Sequence, residues 1–153
     1  MKGFTLIETL VYLALFALIV GGVVASAYAL FETSGYNQTA SMVLEEQGFV
    51  LARFARVVEA AQSIDSPAAG ASGPAMTVTT YDGTMVTMAG SGGTLAFAGQ
   101  SLSNTNVLVS DVIFTHTSAL GAESVTFSFT MSAQTPEGRS VRRGASLTEY
   151  LHK

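Results

Sequence analysis

The sequence predicts an α+β protein in which a long N-terminal helix packs by its second half on an antiparallel β-sheet head. Two observations lead to this fold class. Residues 9–31 are mainly apolar and carry no charge, and a helical stripe of apolar residues continues beyond them. A linker of small residues follows Pro67 over 68–75, and from Met76 onward the hydrophobic period is two, which is typical of strands. The predicted segments are a transmembrane and assembly helix over 4–31, an amphipathic helix half over 32–65 and a β-rich head over 66–153.

The apolar run over 10–31 is about 22 residues, which is enough for a helix to cross a bilayer. Lys2 precedes this run and Glu32 follows it, so the positive-inside rule places the N-terminus in the cytoplasm and the head outside. A cleaved secretory signal peptide is the competing reading, with residues 25–27, Ala-Ser-Ala, as its cleavage site. The single basic residue before the run, and the helical pattern that continues past Glu32, weigh against it.

Glu8 is the unusual residue of this segment. A carboxylate just inside a membrane-length apolar run costs a few kcal/mol unless another group partners it. We therefore interpret Glu8 as a functional residue. The alternative is that its side chain simply lies in the lipid headgroup layer.

Residues 1–8, Met-Lys-Gly-Phe-Thr-Leu-Ile-Glu, followed by an apolar helix, resemble the N-terminal signature of type IV pilins and of the pseudopilins of type II secretion and competence systems. The resemblance implies that prepilin peptidase removes a leader of residues 1–3 by cutting between Gly3 and Phe4, and that the new Phe4 amine is methylated. It implies that Glu8 pairs with the N-terminal amine of a neighbouring subunit. The implied partners are other pilin subunits, the peptidase and an inner-membrane assembly platform.

The physical chemistry of a buried acid agrees with that role, because an opposite charge makes a carboxylate tolerable in a low-dielectric bundle. Further along the stem, Gly21 and Gly22 each lower helix propensity by about 1 kcal/mol relative to Ala. They predict a place where the helix bends or opens during assembly. Close packing of helices through small residues explains the same pair equally well.

The second half of the helix is predicted from apolar or small residues that recur at alternating steps of four and three, interrupted only by Gln47. These residues are Tyr36, Ala40, Val43, Val50, Phe54, Val57, Ala61 and Ile64. Leu44, Leu51 and Val58 form a second line that widens this face. Asp65, Ser66 and Pro67 are then expected to end the helix.

The head is predicted to begin with a hairpin whose strands flank Asp82-Gly83, because this dipeptide readily supplies the positive φ angles of a tight turn. Further strands are expected at 94–98, 107–109, 111–117, 123–133 and 139–151. The clearest of these is 123–133, where Val125, Phe127, Phe129 and Met131 alternate with Ser and Thr. The result is an antiparallel meander that covers the helix.

Charge and cysteine content exclude several classes of function. The net charge of −4, with no Lys or Arg between Arg56 and Arg139, argues against a nucleic-acid partner. A basic cluster near the C-terminus, Arg139, Arg142, Arg143 and Lys153, is interpreted as a solvated face or as partners of acidic side chains. Cysteine is absent, so no disulfide forms.

The candidate catalytic and metal-binding residues are few. His116 and His152 are the only histidines, and their spacing is not that of metal ligands. The acids of the head are scattered, so no calcium site is expected. Residues 90–93, Gly-Ser-Gly-Gly, lack the Lys-Ser/Thr of a phosphate-binding loop. No enzyme activity, cofactor or metal is predicted.

Two hypotheses for function follow. The first is a structural subunit of a type IV pilus-like filament or of a secretion or competence pseudopilus, with a minor subunit favoured over a major one. Such a subunit begins in the inner membrane and then enters an extracellular or periplasmic filament. The second is a single-pass membrane anchor that displays a β-rich ligand-binding module and does not polymerise.

Overall fold

The computed structural model describes residues 5–119 and 121–151, and within them it confirms the α+β class. In this described part of the chain, one helix, α1 (Leu6–Glu59), is followed by nine strands. The strands are β1 (Ala61–Ser66), β2 (Ser72–Gly73), β3 (Ala75–Thr80), β4 (Met85–Ser91), β5 (Thr94–Phe97), β6 (Gln100–Ser101), β7 (Leu108–Ala119), β8 (Ala122–Gln134) and β9 (Ser140–Tyr150).

The strands form two antiparallel sheets where the sequence suggested one meander. The first has the order β1-β3-β4-β5-β6 and the second the order β2-β7-β8-β9. The two come close together at Gly90, where an added Cβ would lie 2.5 Å from the Cβ of Val112. The backbone of β4 can therefore approach β7 only because residue 90 has no side chain.

The helix ends at Glu59, so the predicted boundary at residue 65 was wrong. The Ala60 N–H donates to the carbonyl oxygen of Arg56 at 3.1 Å and closes the last turn. From Ala61 onward the chain pairs with β3, with Ile64 opposite Val78. Residues 61–66, Ala-Gln-Ser-Ile-Asp-Ser, are mostly poor helix formers, so pairing with a neighbouring strand outweighs one more helical turn.

The Asp82-Gly83 hairpin is confirmed, with Thr79 opposite Met85 and Gly83 at a φ of 81°. The Asp82 carboxylate accepts hydrogen bonds from the Thr80 hydroxyl and from the Thr84 N–H, the latter at 3.0 Å. The hydrogen bond from Thr80 is the main reason why the pKa of Asp82 lies below its ordinary value. The turn is thus held by a charged acceptor as well as by its backbone.

The two strands expected at 107–109 and 111–117 form one strand, β7. Its register against β8 shifts between Ser110 and Ile113, and Asp111 within the shift has a φ of 54°. A bulge of this kind bends a strand without ending it, and Asp is one of the side chains that tolerate a left-handed backbone.

The core lies between the second half of α1 and the inner faces of the sheets. The buried helix residues include Val43, Val50 and Phe54. The ring of Phe127 lies 5.1 Å from that of Phe54 and stacks on Phe114 with centroids 4.5 Å apart. The alternation predicted for β8 is confirmed, because its apolar residues face this core.

Candidate functional site

The first half of α1 projects from the head as an exposed apolar helix. From Leu6 to Phe31 its large hydrophobic side chains are exposed to solvent, with 80% of Leu6 and 74% of Phe31 accessible. The helix is long and apolar enough to cross a membrane, and none of its most apolar window is buried against the rest of the described chain. Such a surface requires either lipid or other helices to cover it.

Glu8 lies in the first turn of this helix, and its N–H donates to the carbonyl oxygen of Thr5 at 3.0 Å. Its side chain is exposed, and within residues 5–119 and 121–151 it makes no ion pair. A carboxylate in this position is favourably placed relative to the helix dipole, which is positive at the N-terminus. Gly3 and Phe4, the predicted processing site, lie outside the described residues.

Gly21 and Gly22 lie within an uninterrupted stretch of α1, and an added Cβ at either would meet nothing within 4 Å. The Ser26 hydroxyl donates to the carbonyl oxygen of Gly22 at 2.9 Å. Bonds of this type compete with the helical ladder and often accompany a bend. The predicted flexibility of the glycine pair stays a prediction.

The head meets the stem immediately after the apolar run. Arg139, in the turn immediately before β9, forms an ion pair with Glu32. The carboxylate of Glu137 lies over Gly35, where an added Cβ would be 3.0 Å from Oε1. The turn between β8 and β9 therefore lies close to the membrane end of the head, because Glu32 is the first charged residue after the run.

The arginines near the C-terminus divide into two groups. Arg139 pairs with Glu32, and Arg142 lies 2.9 Å from Asp111, which confirms the expected pairing with acids for these two. The pKa of Asp111 lies below its usual range, mainly because its carboxylate accepts a hydrogen bond from the Ser110 hydroxyl. The positive charge of Arg142 lowers it further by a smaller amount. The Arg143 side chain is exposed and makes no ion pair with the described residues.

Two polar contacts between α1 and the head were missed from the sequence. Gln47, the one break in the apolar stripe, is 6% exposed and its Nε2 donates to the carbonyl oxygen of Arg143 at 2.9 Å. Glu46 accepts a hydrogen bond from the N–H of Asn104 at 2.8 Å. The interrupted stripe was the only signal that could have indicated the first contact.

His116 is buried in β7, with Nδ1 2.8 Å from the carbonyl oxygen of Pro67. That contact fixes the segment that connects β1 to β2, so the histidine has a structural role. Across residues 5–119 and 121–151 no group of three or more His, Asp or Glu side chains is arranged to hold a metal ion. His152 lies outside the described residues.

The model of the prokaryotic N-terminal methylation motif matches residues 1–24. The chain carries the type IV pilin and pseudopilin signature. The motif indicates a pilin-like protein that is processed by prepilin peptidase and assembles with other pilin subunits, and with the apolar helix it fits a membrane-anchored, structural protein. No curated protein and no solved structure matches the chain.

Proposed function

We propose that this pilin-like protein is a minor subunit of a type IV pilus-like filament or of a secretion or competence pseudopilus. Before assembly it stands in the inner membrane, with its N-terminus in the cytoplasm and its head outside. The observation that carries the proposal is the exposed apolar half of α1, which has Glu8 in its first turn and continues without a break into the packed half beneath the head.

The exposed stem gives the protein a reason to polymerise once it leaves the bilayer. Transfer of apolar surface to water costs about 25 cal/mol per Å², so an extracted stem must be covered by other stems. None of the stem residues that the structure describes before Glu32, from Thr5 onward, belongs to the core or packs against it. Their surface therefore serves only to meet lipid or neighbouring subunits.

Glu8 supports the same proposal through its charge. Inside a bundle of stems a carboxylate without a partner would be strongly unfavourable, and an N-terminal ammonium created by processing at Phe4 supplies the opposite charge. Because the pairing has one geometry, it would also fix the axial position of each subunit relative to its neighbour. The family signature over residues 1–24 contains all of these positions.

Processing is the experiment that tests the proposal. The full chain is expressed in a host with prepilin peptidase and a host without it, and the membrane fraction is analysed by intact mass and N-terminal sequencing. We expect a chain that starts at methylated Phe4 only in the first host. A chain that starts at Met1 in both hosts, or cleavage after Ala27, would contradict the proposal and favour the anchored, non-polymerising module or a secreted protein.

A further inference from the structure

A groove of about 970 Å³ opens between α1, the segment after Asn104 and the turn that joins β8 to β9. Its walls are mostly uncharged and include the amides of Gln38, Asn106 and Gln134. Hydroxyl groups of several Ser and Thr residues complete the polar part of the lining. Glu45 is the only charged side chain in the lining, and it forms no ion pair with a described residue.

This combination of groups fits a guanidinium. An arginine head group has five N–H donors and no acceptor, and a carboxylate can accept two of these bonds side by side. The amide and hydroxyl oxygens of the lining offer acceptors for the remaining donors. The described residues that line the groove include no cation that would repel a guanidinium.

The same chain presents an arginine that forms no ion pair with any residue the structure describes. Arg139 and Arg142 are held by acids, whereas the exposed side chain of Arg143 makes no ion pair among residues 5–119 and 121–151. Its backbone is fixed, because its carbonyl oxygen accepts the hydrogen bond from Gln47. The chain therefore displays a positioned donor group on β9, the edge strand of the second sheet.

The groove reaches the start of β9 at Ser140, but Glu45 points away from the strand that carries Arg143. Gln47 marks the side that faces β9, and Glu45 is two residues earlier, which corresponds to a rotation of about 160° and a rise of about 3 Å. The described residues of one molecule accordingly do not bring Glu45 and Arg143 into an ion pair. Two molecules standing side by side in one membrane can do so, because their stems hold both heads at the same height.

We propose that neighbouring copies of this chain associate laterally in the membrane, with Arg143 of one copy in the groove at Glu45 of the next. The contact joins two different patches, so it is heterologous and leaves a free groove and a free Arg143 at the ends of each group. The inference rests on the membrane anchoring in the proposed function. It adds an assembly contact between heads that is formed before extraction.

Cysteine crosslinking tests this contact, and the chain has no cysteine of its own. Ser41→Cys, in the wall of the groove, and Gly144→Cys, beside Arg143, are introduced together so that Glu45 and Arg143 remain intact. An added Cβ at Gly144 meets only ordinary contact distances. Membranes from cells without an assembly ATPase are treated with a short bis-maleimide. We expect a ladder of dimers, trimers and larger species on a denaturing gel.

Charge reversal in the same background identifies the pair. Glu45→Arg or Arg143→Glu alone should reduce the crosslinked fraction severalfold, and both substitutions together should restore it, which a merely misfolded variant would not show. The matched control is Ser41→Cys with Arg56→Cys, an exposed arginine about 22 Å higher along the helix, which should give no ladder.

Three outcomes would overturn the inference: no ladder, a ladder unaffected by either charge reversal, or equally strong dimers from each single cysteine, which indicate a symmetric contact. The same samples are checked by intact mass. Correct processing at Phe4 without crosslinks would contradict the lateral contact alone, whereas absent processing would contradict the proposed function.

Discussion

Gln47 donates a hydrogen bond from Nε2 to the carbonyl oxygen of Arg143, 2.9 Å away, from a helix face that is otherwise apolar. The bond connects α1 to the edge strand β9, whose outer side has no neighbouring strand in the second sheet as described. Because an amide buried without a partner is costly, the contact fixes how the helix and the edge strand sit relative to each other.

The first prediction concerns this bond. Gln47→Ala should lower the free energy of unfolding by about 1–3 kcal/mol, since it removes the donor and leaves the carbonyl oxygen of Arg143 unsatisfied. Thermal unfolding of the full chain in detergent, followed by near-UV circular dichroism, measures the change. Gln38→Ala on the exposed side is the control and should change stability by less than about 0.5 kcal/mol. Equal effects of the two substitutions would contradict a special role for Gln47.

A second prediction compares two glycines with opposite surroundings. Gly90→Ala should destabilise the head, because the new Cβ would lie 2.5 Å from Val112 and the two sheets would have to separate. Gly48→Ala should stabilise the protein by about 1 kcal/mol, since this exposed helical position has nothing within 4 Å. The same unfolding measurement applies to both variants.

Val112→Ala provides the control for that comparison. Removal of the two methyl groups relieves the contacts at 2.6 and 2.8 Å but leaves the contact with the Cβ of residue 112 at 2.5 Å, so the cost of Gly90→Ala should be only partly reduced in the Val112→Ala background. Additive effects of the two substitutions would show that the close approach of the sheets does not determine the need for glycine.

The third prediction is a pH dependence that arises at the Asp82 turn. Hydrogen bonds from Thr80 and Thr84 hold the pKa of Asp82 below the ordinary 3.8 in the folded chain. The unfolded state therefore binds a proton more readily, so the ionised carboxylate stabilises the fold above pH 3.8 and this contribution is lost as the pH falls through the folded pKa.

Asp82→Ala tests this dependence. The variant should be less stable than the natural protein at neutral pH, and the difference should shrink as the pH falls below 3.8. Unfolding curves at a series of pH values give the comparison, and Glu59→Ala, the substitution of an exposed acid at the end of α1, is the control. A difference in stability that stays constant down to low pH would contradict the role of the ionised carboxylate.

Features set by local chemistry were predictable from the sequence. The alternation in β8 follows from a strand with one buried face, and the Asp82-Gly83 turn follows from the backbone freedom of glycine. The apolar stem was predictable because an uncharged apolar run of membrane-spanning length is rare outside membrane-spanning helices. The pairing of strands distant in the sequence was not predictable. Ala61 and Ile64 are compatible with either a helix or a strand, and they form a strand because this segment pairs with β3.

The candidate site was predictable in part for the same reason. Glu8 stands out because its charge conflicts with its surroundings, and such conflicts mark functional positions. The paired and unpaired arginines could not be distinguished in this way. Which of them meets an acid depends on the register of β9 against β8 and on the bulge at Asp111, and both arise from contacts distant in the chain.

The last prediction concerns the proposed role of Glu8 in assembly. Glu8→Leu should leave membrane insertion intact, because it makes the start of the apolar run more favourable in lipid. It should sharply reduce incorporation into filaments, since the N-terminal ammonium of the neighbouring stem then enters the bundle without an opposite charge. Carbonate extraction of membranes measures insertion, and immunoblotting of sheared or purified filaments measures incorporation.

Two further variants separate charge from size. Glu8→Asp keeps the charge on a shorter side chain and should retain part of the incorporation, whereas Glu8→Gln keeps the size without the charge and should behave like Glu8→Leu. Processing at Phe4 is verified in every variant, so that loss of incorporation is not caused by loss of cleavage. Full incorporation of the Gln variant would show that Glu8 does not act through its charge, and the pairing with the N-terminal amine would have to be abandoned.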